Sequence, residues 1–178
     1  MKQSFLTLDL ATMSGICLWV PGNRPVISSS DLSTWYSHNY AKALSIHYKR
    51  MKKIIEENEV THVCFEKPIS IRTDSTEKLR KVFGLSNTIE LLCGQMGITC
   101  SEAIISQWRK HVLGHGQLST LEAKRRAMNI ARGVGLDPKT HDEAEAFAIM
   151  DYVADILKIK KDWPEPYLFR LKEAVKQP

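Results

Sequence analysis

Phe5-Leu6-Thr7-Leu8-Asp9-Leu10, with the turn Ala11-Thr12-Met13-Ser14-Gly15 behind it, decides the fold. Leu6, Leu8 and Leu10 alternate with Phe5, Thr7 and Asp9, so the stretch reads as a strand with two different faces. A second apolar run, Ile16 to Val20, follows, and Pro21-Gly22-Asn23-Arg24 turns the chain into a third short strand, Val26 to Ser29. The three strands form an antiparallel meander. Asp9 is the anomaly, because an acid at the end of an apolar strand costs folding free energy unless something compensates it.

Beyond the meander, Leu44, Tyr48, Met51 and Ile55 recur at helical spacing and predict a helix from about Tyr40 to Asn58. A buried strand, Val60 to Glu66, comes next. Asp74-Ser75-Thr76-Glu77 reads as the start of a long helix that ends at Gly97, with Gly84 as its weak point. A fifth strand, Ile98 to Ile105, leads through Trp108-Arg109-Lys110 to a loop, Gly114-His115-Gly116. Ser119 with Glu122 forms a capping box for a basic helix that stops near Gly133 and Gly135. Thr140 with Glu143 forms a second box, opening a last helix through about Ile159.

This order predicts an α/β fold: a mixed five-stranded sheet, made of the three-strand antiparallel meander plus parallel strands, flanked by helices. One domain is expected over residues 1–160, with 161–178 as a C-terminal tail that is not a separate domain. The tail is polar and irregular from Pro164 onward.

The chain of 178 residues is 43% hydrophobic and 25% charged, ordinary for a globular domain with one sizeable core. Its net charge of +5 favours a polyanionic partner, and the excess is local. Between Gln107 and Val134 stand Arg109, Lys110, Lys124, Arg125, Arg126 and Arg132, against Glu122 as the single acid. Arg109, Lys110, Lys124, Arg125 and Arg126 are the candidate DNA contacts, the alternative being a solvated helix face. The cysteines form no CxxC pair, which argues against zinc and a disulfide framework and fits a reducing compartment. No apolar run reaches membrane-spanning length, and Asp9 interrupts the one N-terminal candidate for a signal peptide. A cytoplasmic protein is expected.

Three further acids share the anomaly of Asp9. Glu66 closes Val63-Cys64-Phe65, and Asp142 and Glu145 share one helix face that Ala146, Ile149 and Val153 continue. Each has a bland reading. Asp9 can cap the turn after it, Glu66 can be a strand-end acid paired with Lys67, and Asp142 suits the first turn of any helix. Glu145, set among Ala144, Ala146, Phe147 and Ala148, is hardest to explain this way. A single site for a hard divalent cation explains all four together. His141, beside Asp142, and His115, between two glycines, are auxiliary candidates. Trp108 reads as a core or hinge anchor, and Asp151 lies past the site.

Asp9-Leu10-Ala11 with Ser14-Gly15, then Phe65-Glu66-Lys67-Pro68, then Asp142-Glu143-Ala144-Glu145-Ala146 resemble in order and spacing the acidic motifs of RuvC-type Holliday junction resolvases. The resemblance covers residues 4–155, and Ser106-Gln107-Trp108-Arg109-Lys110 through Lys124 is similar to the phage and prophage branch. It implies a ribonuclease H-like fold, a homodimer, and two divalent ions held by the acids for hydrolysis of DNA phosphodiesters. Asp9 would bridge the ions, Glu66 would bind one, and Asp142 and Glu145 would complete the set. The family usually has aspartate at the position of Glu145, and its bacterial members have an aromatic at the position of Ile69.

The chemistry also suits the residues themselves. Two ions about 3.5–4 Å apart activate water, neutralise phosphate and stabilise the leaving oxygen, and carboxylates are fitting ligands for Mg2+, with Mn2+ substituting. The expected function is therefore a Mg2+-dependent endonuclease acting on branched DNA, with no nucleotide cofactor and no membrane partner. The alternative is a catalytically inactive junction or nucleic-acid binding protein on the same fold.

Overall fold

The computed structural model describes residues 3–33, 39–69 and 75–164. Five strands form one sheet: β1 (Phe5–Asp9), β2 (Met13–Trp19), β3 (Val26–Asp31), β4 (His62–Glu66) and β5 (Thr99–Ala103). Their order is β3-β2-β1-β4-β5, with β1 to β3 antiparallel and β4 and β5 parallel to β1. The expected mixed sheet is thus present. The first turn is tighter than expected, since β2 begins at Met13, and β3 runs on to Asp31.

The alternation in Phe5 to Leu10 sorts the two layers. Leu6, Leu8 and Leu10, with Val63 and Phe65, pack against α1 (Tyr40–Glu57) and α2 (Thr76–Met96). Phe5, Cys17, Trp19, Cys64 and Ala103 face the opposite layer of α3 (Ile105–Leu113), α4 (Thr120–Gly133) and α5 (His141–Ile156). The innermost line of α1 is Ala43, His47, Met51 and Ile55 rather than the Leu44 and Tyr48 line, which is only partly buried. Gly84 is a contact point, not a weak point: the Tyr40 hydroxyl reaches the Arg80 carbonyl through the space a side chain at 84 would fill.

Ser75 caps α2, its hydroxyl accepting from the Lys78 N–H, and Gly97 ends it at φ 65°. Asp74 and the tail from residue 165 lie outside the described residues. Helix α3 was not expected. It has only nine residues and no side-chain bond at its N-cap, Ile104, so nothing local announces it. Ser119 and Thr140 cap α4 and α5, but the two glutamates do not close their boxes. Glu122 binds Arg125 and Arg126, and Glu143 accepts from the N–H of Lys139. Helix α5 stops at Ile156, where Lys158 turns left-handed at φ 55° and the Ile159 N–H bonds back to Ala154.

The packed chain extends past residue 160. Lys161 bridges Asp151 and Asp155, Asp162 accepts from the Trp19 indole and the Gly22 N–H, and Trp163 packs on Trp19 and Phe147. Asp151 belongs to this strap, buried with Lys161 and the Trp163 indole N–H as partners.

Thr7 ties the meander to α5. Its buried hydroxyl donates to the Ala146 carbonyl at 2.7 Å, holding the strand that ends in Asp9 against the helix that carries Glu145. Thr7→Val keeps the shape and removes the donor. It is expected to cost about 1–2 kcal/mol, read as a lowered Tm with the far-ultraviolet spectrum unchanged; an unchanged Tm would show the bond to be idle.

Candidate metal centre

Parallel pairing of Leu8 with Phe65 places Asp9 and Glu66, the last residues of β1 and β4, side by side at one end of the sheet. Helix α5 begins at the same end. Gly15, paired with Asp9 across the hairpin, makes this possible: a Cβ there would stand 1.8 Å from the Asp142 carbonyl oxygen. The helix start therefore lies directly on the β2 backbone. Asp142 sits in its first turn and Glu145 one turn further along the inward face.

Asp9, Asp142 and Glu145 each offer a carboxylate oxygen within 4.8 Å of the others. Asp9 and Asp142 are partly buried and Glu145 is 4% exposed. Among the described residues nothing donates a hydrogen bond to the Asp9 carboxylate, so it does not cap its turn; the Ser14 hydroxyl donates there to the Ala11 carbonyl. Glu66 does not pair with Lys67, which bonds Glu102 instead at 2.8 Å. The Trp108 indole N–H donates to Glu66 Oε2 at 2.9 Å.

Electrostatics of the cluster follow from burial. Burial raises Asp9 well above the ordinary carboxylate range, and the charges of Glu145, Glu66 and Asp142 add to it while Lys124 opposes. Burial pushes Glu66 up to about 7, with Arg109 and the Trp108 bond pulling the other way. Glu145 is raised by burial too, against the pull of Arg109 and Lys124. Converging, poorly solvated carboxylates without enough protein donors are what a divalent cation satisfies, so the donor set fits Mg2+ or Mn2+.

Among the candidate DNA contacts, three arginines are engaged within the fold. Arg109 bonds Glu145 at 3.3 Å with its side chain 13% exposed, and its guanidinium lies over the Trp108 ring. It is a counter-ion inside the site rather than a surface cation. Arg125 and Arg126 are held by Glu122, and Arg126 also donates to the Leu113 carbonyl. Lys110 is exposed, and the charge of half-buried Lys124 opposes the rise of Asp9 and Glu145. His141 is exposed at the first position of α5, and exposed His115 accepts from the Gln117 N–H.

The pairings of Trp108 with Glu66 and of Arg109 with Glu145 had no signature in the sequence. Each joins residues 36 or more positions apart through a helix that the sequence does not announce. Ile69 is half exposed and lines a groove of about 260 Å³ beside Glu66, together with Lys67, Pro68, Lys78 and Val82.

No family model matches the chain, and neither does any curated protein. Solved structures do. Thermus thermophilus RuvC superposes with a TM-score of 0.61 at 14% identity, over 83% of this chain and 90% of that one. T. thermophilus RuvC in complex with Holliday junction substrate gives 0.63 at 15% identity, over 83% and 90%. The fold is that of RuvC. With the strand order and the layers of helices, this places the chain in the ribonuclease H-like architecture. No helix among the described residues is long and apolar enough to cross a membrane.

Proposed function

We propose that this protein is a divalent-metal-dependent endonuclease that hydrolyses phosphodiesters in branched DNA, most concretely in four-way junctions. The observation that carries the reading is the convergence of Asp9, Asp142 and Glu145 within 4.8 Å, beside Glu66, on a RuvC-like fold. Asp9, Asp142 and Glu145 would hold the metal, with Glu66 beside them as a further ligand. The ions, when bound, supply an activated water and neutralise the phosphate. The chain's own groups do the rest. Carboxylates hold the charge in a poorly solvated corner, Arg109 fixes Glu145, and the positive end of α5 faces the anionic site.

Lys124 lies close enough to lower Asp9 and Glu145, so it stands where a phosphate beside the acids would be neutralised. Lys110 adds an exposed charge on α3, and Arg125 and Arg126 contact DNA only through what Glu122 leaves free. The solved relative bound to a Holliday junction supports the branched substrate. The activity belongs to a single domain over residues 1–160 with the strap of Lys161, Asp162 and Trp163 packed onto it, working as a homodimer in the cytoplasm, with Mn2+ able to replace Mg2+.

Cleavage of a labelled synthetic four-way junction with Mg2+ tests the reading, with linear duplex as the control. Wild type is expected to cut the junction in preference to duplex, and Asp142→Asn to lose the cut while still retarding the junction on a gel. Equal cleavage by the two proteins would remove Asp142 from the site. Junction binding without cleavage by wild type would favour the inactive binder.

A further inference from the structure

The Glu66 carboxylate has one oxygen already taken. Oε2 accepts from the Trp108 indole N–H, whereas Oε1 has no protein partner among the described residues. Trp108 itself lies in the core. It is fully buried in the core cluster that also holds Val112, Ala123, Ala127 and the inner residues of α5, and the Arg109 guanidinium lies over its ring at 5.3 Å. Arg109 is anchored in turn on Glu145. Consecutive residues of α3 thus fix two site acids from different elements, one on β4 and one on α5.

Resting on the metal-site reading above, we propose that Trp108 is a positioning residue: it restricts Glu66 to single-oxygen ligation and so favours a magnesium-sized ion over calcium. The reason is coordination chemistry. Calcium takes six to eight oxygens and readily draws both from one carboxylate, whereas Mg2+ and Mn2+ prefer octahedral sites with one oxygen per carboxylate and several waters. A carboxylate whose second oxygen is held by a rigid, buried donor suits the second class. Partners that orient a ligand in this way commonly matter nearly as much as the ligand.

Trp108→Phe removes the N–H and keeps most of the aromatic body. Calorimetric titration with Mn2+ and, separately, Ca2+ is compared between wild type and variant, with metal-free melting recorded for both. The expected result is a Mn2+ affinity lowered about tenfold, with Ca2+ affinity held or raised, so that the discrimination between the ions narrows. A variant that keeps the wild-type ratio of the two constants, whatever its Tm, overturns the proposal.

A second measurement needs no change at 108. In the nitrogen-15 spectrum of the metal-free protein, the assigned Trp108 indole N–H signal is expected to shift in Glu66→Gln; a signal indifferent to that change also overturns it. Failure of wild type to bind either ion overturns the metal-site reading and the ion preference with it. That case is recognised by an indole signal that still answers to Glu66→Gln.

Discussion

Under the proposed function, Asp9→Asn is expected to lower four-way junction cleavage by about 10³-fold or more, since several kcal/mol of charge stabilisation would depend on the ions it would hold, while raising the Tm of the metal-free protein. The two effects have one cause. Burial and three neighbouring acids raise Asp9 well above the ordinary carboxylate range, so its ionised form is costly in the metal-free fold. An acid whose folded value exceeds its unfolded value keeps its proton after the unfolded chain has released one. Stability is then greatest below the unfolded value and falls as pH rises through the folded value.

For Glu66 that window runs from 4.5 to about 7. Metal-free wild type should therefore melt at progressively lower temperature as pH climbs through this range. Asp9→Asn removes the raised carboxyl of Asp9 and with it that group's own share of the decline, each kcal/mol of relief raising Tm by about 2–4 °C. Saturating Mg2+ should reverse the order, stabilising wild type by mass action and the variant hardly at all. Melting curves at several pH values, with and without Mg2+, check this; a metal-free wild type whose Tm is flat or rises over the window would refute the strained cluster.

Gly15→Ala is expected to damage stability and activity together. The added Cβ would meet the Asp142 carbonyl oxygen at 1.8 Å, and the obstacle is backbone, not the movable end of a side chain. Overpacking in a tight core costs about 1–3 kcal/mol, and a clash this deep belongs at or above the top of that range. A fall in Tm of about 6–12 °C follows for a domain of this size. To relieve the clash the start of α5 must lift from β2, which carries Asp142 and Glu145 away from Asp9. Mn2+ affinity should then fall even below the melting transition, where the chain is folded. A Gly15→Ala protein with wild-type Tm and wild-type Mn2+ binding would show that the close approach is not what assembles the site.

Hydrophobic patterning made most of the fold legible. The alternation in Phe5 to Leu10 correctly divided the sheet into its two faces, and Ser75, Gly97, Ser119 and Thr140 marked helix ends where they fall. Helix α3 escaped because its start has no capping side chain and its length is short, so its residues read as the continuation of a strand and a loop. The inward turn of Arg109 is hidden from the sequence for a related reason. A cation in a basic stretch looks like surface charge, and only the placement of α3 against α5 turns it inward to Glu145.

The sequence by itself determined that four acids stand in apolar surroundings and on which elements they ride, because the penalty of a charge in an apolar run is local and is written in neighbouring residues. Only the tertiary structure decided that three of them meet within 4.8 Å and that Trp108 holds the fourth. Those distances depend on the β1–β4 pairing, the backbone contact at Gly15 and the seat of α3, which join residues far apart in the chain. Local patterning sets the period of each element, whereas the register and close approach between elements are settled by packing of the whole core.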